Sequence, residues 1–430
     1  MMIFSVLMLL LSAFAMPPPP TSCSGSINTR PLTVGDNAPI INTTSNGSTK
    51  RLVTANLTAP LSVVHVYGSI YEMNRDVGLL MREEISLSVP ASLAYIYAQV
   101  NASYNLSWLP EPVRDWVLEY GVDLALDMTY NATLNFSPAH WTDAFNGLAD
   151  GSAVDIVSLR RVSMIAEWTR ASCSMLGAWG EASLTGKLVQ LRALDWDTDG
   201  PFQQWPLLTV YHPTIGVANA GLGWAGMLGA ITGVSSSGVG ISEKVWDAYL
   251  GVDSMFGYAW NFLLADALMF DLDTDAVLSR IATANRTCAI WIGVGDAHGN
   301  GGGGSFKAVA YSNQQVSIFN DANFPAYPNH DLFRNLVFIN KHVQPSSEPC
   351  MNDLLHSIYS SIDGLNTFQY VTALERTGDM HIAVFDFGAD KLYLSNASPD
   401  GNELAYDATF VEFTMSTLWN QQSARGADEL

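Results

Sequence analysis

The sequence predicts an α+β fold in which two β-sheets pack face to face between outer helices, a four-layer α/β/β/α sandwich. Two observations carry this expectation. Residues 59–172 place apolar side chains at three- and four-residue spacing, the helical period, whereas from Ser172 onward short apolar runs separated by Gly, Asn and Asp take over. Two helical stretches then interrupt the runs, and strands, helices, then more strands is the order expected of segregated layers. With 430 residues, 48% apolar and 14% charged, the chain can bury a large core, which argues against disorder.

The elements follow in order. Residues 1–15 read as a secretory signal, because Met1 to Leu11 is almost wholly apolar and Ala13-Phe14-Ala15 supplies a small-x-small cleavage pattern. Residues 16–58, rich in Pro, Ser, Thr and Asn, read as a flexible leader with no periodicity. Within 59–172 the helical segments are Tyr71–Glu84, Ala91–Val100, Glu111–Leu126 (opened by Pro110) and Ala153–Thr169, and this part is expected to be a propeptide or a retained α-chain. Residues 173–430 form the expected catalytic core. Its strands are Cys173–Trp179, Leu188–Leu194, Leu207–Tyr211, Val239–Val245, Cys288–Val294, Lys307–Tyr311, Val316–Phe319, His381–Phe387 and Lys391–Leu394, with helices near Tyr258–Phe270 and Met351–Ile362.

Charge and targeting signals narrow the compartment and partners. Lys and Arg number 20 against 41 Asp and Glu, a net charge of -21, and such a surface repels phosphate backbones, so nucleic acid is excluded as a partner. Nine Asn-x-Ser/Thr sites, at Asn42, Asn46, Asn56, Asn101, Asn105, Asn131, Asn135, Asn285 and Asn396, fit a glycosylated lumenal protein. The C-terminal Ala427-Asp428-Glu429-Leu430 resembles an endoplasmic-reticulum retrieval signal, with lysosome and secretion as alternatives.

An oxidising lumen would pair the four cysteines, Cys23, Cys173, Cys288 and Cys350. Cys288 and Cys350 share the C-terminal half and are the expected bridge, while a Cys23–Cys173 bridge is the structural alternative to a reactive Cys173. Two glycine-containing stretches carry no ligand chemistry. Gly299–Gly304 leads into a strand rather than a helix and reads as a hairpin tip, and Asp195–Gly200 lacks the closing Glu of a calcium loop. Glu243-Lys244 reads as a cross-strand ion pair. No cofactor and no metal is called for.

The chemistry concentrates in one hairpin. A strand beginning at Cys173 turns around Thr185-Gly186-Lys187 and returns through Leu188–Trp196, which brings Arg192 and Asp195 back to the level of Cys173. A thiol at a new chain terminus acquires its own base, because an α-amino group with a pKa of roughly 7.7–8.0 is partly neutral near pH 7. The helix-to-strand switch at Ser172 makes the Ser172–Cys173 bond the expected scission point. Arg192 would lower the thiol pKa and hold substrate, and Asp195 would orient the amine.

Cys-Ser-x4-Trp-Gly followed by Gly-Lys-Leu-x3-Arg-x2-Asp-Trp resembles the acyl-coenzyme A:6-aminopenicillanate acyltransferase-like family, grouped with the choloylglycine hydrolases and acid ceramidase among cysteine N-terminal-nucleophile enzymes. His65–Met73 with Gly78, Ile231–Val239 and Gly378–Val384 are similar to other pieces of that family, so the resemblance runs from about 60 to 400. It implies Cys173 as nucleophile, its freed amine as base, and Arg192 and Asp195 as the family's Arg-x-x-Asp. It also implies an oxyanion-hole Asn at the end of a later strand, for which Asn320 is the candidate, Asn323 the nearby substitute, and turn chemistry the competing reading. Ala193 departs from relatives that carry Asn there. The implied reaction breaks a linear amide through a Cys173 thioester, which water or an amine resolves. The implied partner is a small acylated molecule, with acyl-CoA as one acyl donor and the propeptide as a retained chain. Phospholipase B-like ester hydrolysis and a catalytically silent lumenal binding protein are the rival functions.

Overall fold

A computed structural model describes residues 16–104, 111–168 and 172–424. The signal-like segment, Asn105, Pro110 and the terminal ADEL lie outside the described residues. The strands are β1 (Thr33–Val34), β2 (Ile40–Thr43), β3 (Thr49–Val53), β4 (Leu61–Gly68), β5 (Ser172–Ala178), β6 (Val189–Asp195), β7 (Pro206–Pro213), β8 (Asn219–Trp224), β9 (Thr232–Ser235), β10 (Val239–Val245), β11 (Ala289–Asp296), β12 (Ser305–Ser312), β13 (Val316–Phe319), β14 (Leu336–Ile339), β15 (His381–Asp386), β16 (Lys391–Asn396) and β17 (Val411–Thr414). They form a seven-stranded sheet, β1-β17-β16-β15-β6-β5-β14, and a ten-stranded sheet, β13-β12-β11-β10-β9-β8-β7-β4-β3-β2.

The sheets face each other, and period-two alternation sorts their side chains. In β5, Met175 points between the sheets toward Trp291, Phe306, Val337 and Ile339, whereas Leu176 points outward to Leu354, Leu355 and Phe368. Glycine lets the sheets approach at Gly177, where a Cβ would meet the Phe306 ring at 2.1 Å. The outer face of the ten-stranded sheet is covered by a layer that includes α1 (Ile70–Leu80), α2 (Arg82–Tyr104), α5 (His140–Ser152), α6 (Ile156–Trp168), α7 (Trp260–Phe270) and α8 (Thr274–Thr283), with α4 (Val122–Leu134), which α3 (Glu111–Trp116) precedes, packed on α6. The helix Cys350–Ile358 and the helical run 364–375 cover the other sheet. The four-layer α/β/β/α order expected from the sequence is therefore present. Among the described residues no helix is long and apolar enough to cross a membrane.

Local chemistry sets where α1 starts. Ser69 accepts from the Glu72 backbone N–H while the Glu72 carboxylate accepts from Ser69 N–H, a capping box that satisfies two otherwise orphaned donors.

Three expectations need correction. The leader is folded rather than flexible: β1 pairs with β17, β2 and β3 extend the large sheet, and buried Asn28 donates to the Tyr406 and Ala408 carbonyls. Nor is 59–172 wholly helical, since β4 lies between β3 and β7 and pairs with β7 in parallel from Ser62↔Leu207 to Gly68↔Pro213. The core after residue 173 is thus incomplete without the chain before it. Finally, Cys350 bonds Cys23 and not Cys288. Cys288 sits just before β11 on the face covered by α6 and α7, whereas Cys350 opens a helix on the opposite outer layer, against which the leader runs.

Of the glycosylation candidates, Asn42, Asn56, Asn131, Asn135 and Asn285 are exposed, and Asn46 and Asn101 half-buried. Asn396 is not available for a glycan, because it ends β16 opposite His381 and is buried.

Candidate active site

The hairpin brings Cys173 and Arg192 together as the sequence implies. β5 and β6 pair with Cys173 opposite Leu194 and Met175 opposite Arg192. Cys173 and Arg192 therefore share the inner face of the small sheet, and both are fully buried. Arg192 Nη2 lies 3.6 Å from Cys173 Sγ and 3.4 Å from Glu243 Oε2, and its Nε donates to the Glu243 carbonyl at 3.3 Å. Its Nη1 lies 2.8 Å from His381 Nε2. A guanidinium can only donate, so His381 Nε2 is the acceptor and the proton of that ring sits on Nδ1. Burial, with Arg192 beside it, holds His381 well below the usual histidine range, which keeps it neutral.

Cys173 is a thiol rather than half of a disulfide, so the Cys23–Cys173 alternative does not hold. Burial pushes the thiol up to about 12, against the pull of Arg192. The sulfur is therefore protonated, and thiolate character there requires a group that takes up the proton. Ser172, immediately before it, is exposed, while every other residue of β5 is buried.

Asp195 is at the same end of the hairpin but on the other face of the sheet. Its oxygens accept from Thr377 Oγ1 at 2.6 Å and Gly378 N–H at 2.8 Å, and Thr377 Oγ1 is also 2.7 Å from Ser174 Oγ. Burial, reinforced by Asp379, raises this carboxyl to about 6. Its backbone is paired with Ser172, so it flanks the expected scission point.

Asn320 is not part of this site. It follows edge strand β13, and its side-chain oxygen accepts from the backbone N–H groups of Ala322 and Asn323, the self-contained turn that Asn-Asp chemistry favours. Asn323 belongs to the same turn, with its amide on the Ile318 carbonyl. The Asn at the right sheet end is Asn340. It directly follows β14, whose register pairs Ile339 with Met175, so it lies next to the start of β5, and it is buried. Its side-chain oxygen accepts from Gln344 Nε2 at 2.6 Å and its Nδ2 is 3.3 Å from Ser346 Oγ. Its signal in the sequence is an Asn ending the run Leu336–Ile339, four residues that are too few to mark a strand by themselves.

Glu243-Lys244 is not a cross-strand ion pair. Successive strand residues point to opposite faces: Lys244 shares the face of Ser242, between the sheets, and its Nζ donates to the Lys341 carbonyl at 2.9 Å, whereas Glu243 shares the helix-side face of Ile241, where Arg192 Nη2 reaches it at 3.4 Å. Burial raises Glu243 to about 7 despite Arg192. One wall of an apolar cleft is formed by Arg192 and Glu243, and Leu194, Trp196, Trp224, Leu228 and Trp260 supply most of the rest. The aromatic residues pack in contact, with Trp196 stacked on Phe202 at 4.4 Å and edge-on to Trp224. The lining suits an apolar ligand group with a polar end beside Arg192.

No protein-family model matches the chain. Protein dcd1B of Dictyostelium discoideum is 34% identical over 403 residues, covering 89% of this chain and 79% of the relative. Protein dcd1A of the same organism is 34% identical over 386 residues, covering 84% and 86%. Solved structures with some likeness include a Caenorhabditis elegans N-acylethanolamine-hydrolyzing acid amidase ortholog (12% identity, TM-score 0.34, 55% of this chain and 98% of that one). The penicillin V acylase of Agrobacterium tumefaciens aligns at 11% identity and a TM-score of 0.37, over 58% and 89%. Identity of this extent to the two slime-mould proteins does settle kinship: the chain belongs to the family of Dictyostelium discoideum dcd1A and dcd1B.

Proposed function

We propose that the chain is a cysteine N-terminal-nucleophile hydrolase that severs its backbone before Cys173 and then cleaves a linear amide of an apolar acyl group. The observation that carries this is the placement of Arg192, fully buried and 3.6 Å from a thiol that begins a strand, at the wall of an apolar cleft. In processing, Cys173 Sγ attacks the Ser172 carbonyl, the peptide C–N bond breaks as a thioester forms and the thiol proton passes to the freed Cys173 amine, and water then hydrolyses the thioester to release the Ser172 carboxylate and restore the thiol. That amine then takes the thiol proton when a substrate carbonyl is attacked. The tetrahedral intermediate collapses with loss of an amine, which receives the proton, and water hydrolyses the acyl-thioester.

Within this reading Arg192 stabilises thiolate character, and Glu243 and His381 hold the guanidinium in place. Asp195 braces the strand end through Thr377 and Gly378. Asn340 supplies the oxyanion donor in place of Asn320. An amine acceptor in place of water would make the same thioester an acyl-transfer intermediate.

The test is to incubate processed protein with an N-acyl amide of a medium or long chain, beside a phospholipid of matched acyl length, and to digest the quenched reaction. An acyl mass added to the Cys173 peptide, with amide turnover exceeding ester turnover, is expected. Asn340→Ala should lower kcat by about 10²–10³-fold with KM little changed. Turnover of phospholipid alone, or acylation at another residue, would overturn the assignment.

A further inference from the structure

We propose that His342, Glu348 and Glu375 form a binding site for a divalent transition-metal cation of the zinc class. The ligand atoms of these three side chains lie within 4.8 Å of one another, and His342 Nε2 is 3.9 Å from both Glu348 Oε2 and Glu375 Oε1. Zinc bound at about 2.0–2.2 Å to nitrogen and oxygen in a tetrahedron holds its ligand atoms about 3.4 Å apart. Small rotations of two solvent-facing side chains close that difference.

The independent observation is Glu375. Its side chain is 1% exposed, no side-chain donor bonds either carboxylate oxygen among the described residues, the backbone N–H of Met351 lies beside it, and Oε1 is turned toward His342. A carboxylate buried in this way costs several kcal/mol unless a cation or donors compensate it. The nearest cationic side chains make their hydrogen bonds elsewhere. Arg376 next to it turns to the Tyr406 hydroxyl, and Lys341 donates to the Arg376 carbonyl. His342 and Glu348 sit at the rim, partly exposed, with Glu375 as the floor, so the site opens to solvent for entry. One imidazole and two carboxylates suit zinc or a neighbouring first-row ion better than calcium, which takes six to eight oxygens.

The position gives such an ion a structural role. Glu348 accepts from the N–H of Cys350, half of the disulfide, and His342 lies two residues after Asn340. Glu375 lies two residues before Thr377, the residue bonded to Asp195. A cation here would staple the 340–348 loop to the turn that braces the strand end of Cys173. Binding itself does not depend on the cysteine chemistry.

Full-length protein stripped with EDTA and desalted is titrated with ZnCl2 and, in parallel, CaCl2, while bound metal is counted by mass spectrometry and melting is recorded. One zinc per chain and a raised Tm are expected, with both lost or weakened at least about tenfold in His342→Ala and in Glu375→Gln. His342→Ala alters an exposed loop and keeps the test valid if the buried substitution fails to fold. Zinc uptake unchanged in both variants, as the thiols of Cys173 and Cys288 would give, overturns the proposal. So does an absence of uptake, or a preference for calcium.

Discussion

Removing the guanidinium from the centre of the site gives the sharpest energetic prediction. Arg192→Met keeps the length of the side chain and deletes its charge, which leaves Glu243 buried with its Oε1 already lacking a hydrogen bond among the described residues. Breaking a buried pair from one side costs about 3–5 kcal/mol. Glu243 can escape part of this by taking a proton, since its carboxyl already stands at about 7 with Arg192 present. Loss of Arg192 raises it further, so the folded state holds a proton that the unfolded state gives up. Stability is then retained at low pH and lost as pH rises through the folded value, with a slope of up to about 1.4 kcal/mol per pH unit. The cost of Arg192→Met should therefore be near the top of its range at pH 8 and markedly smaller at pH 6. Adding Glu243→Gln should recover part of the loss at pH 8 and remove most of its pH dependence. Urea unfolding followed by the fluorescence of the 12 tryptophans measures this. A Cys173→Ala background keeps every molecule in one covalent state. Equal losses at pH 6 and pH 8, or no recovery in the double variant, would refute the pairing.

Two further outcomes follow from the fold and its buried groups. Scission at Ser172–Cys173 should yield two chains that migrate together without reductant and separate with it, because Cys23 precedes the cut and Cys350 follows it; Cys23→Ser should abolish the covalent link yet leave the chains co-eluting in gel filtration, held by the β4–β7 pairing. Separation of the chains without reductant would contradict the bridge. Glu167, raised to about 7 by burial and bonded to Trp260 N–H and Thr287, contributes stability that is complete below its unfolded value and lost as pH rises through 7. Between pH 6 and pH 8 the parent should lose about 1.4 kcal/mol more than Glu167→Gln, measured by denaturant unfolding.

What the sequence disclosed depended on how local the signal was. Cys173 and Arg192 stand 19 positions apart on a hairpin, so strand alternation and a turn at Gly186 were enough to place them on one face. Asp195, read from the same hairpin, falls on the opposite face, since three residues is an odd step in a period of two. Glu243 and His381 come from the facing sheet and from β15, and no local pattern announces a contact across 51 or 189 positions. The Cys23–Cys350 bridge spans 327 positions and was equally hidden. β4 falls in a stretch that reads as mostly helical because Leu61–Gly68, buried on both faces over its first six residues, shows no strict polar and apolar alternation. The leader strands β1 to β3 are short and polar at the sheet margins, where burial imposes little alternation. At Asn320 the resemblance and the local chemistry point to different roles, and the turn that its own neighbours favour is the one the structure displays.

The most direct measurement is intact-mass and N-terminal sequence determination on catalytically active protein, beside Cys173→Ala. A C-terminal chain starting with a cysteine α-amine at position 173, present in the active form and missing from the variant, is the result these residues predict. Turnover by molecules whose Ser172–Cys173 peptide bond is whole would contradict it.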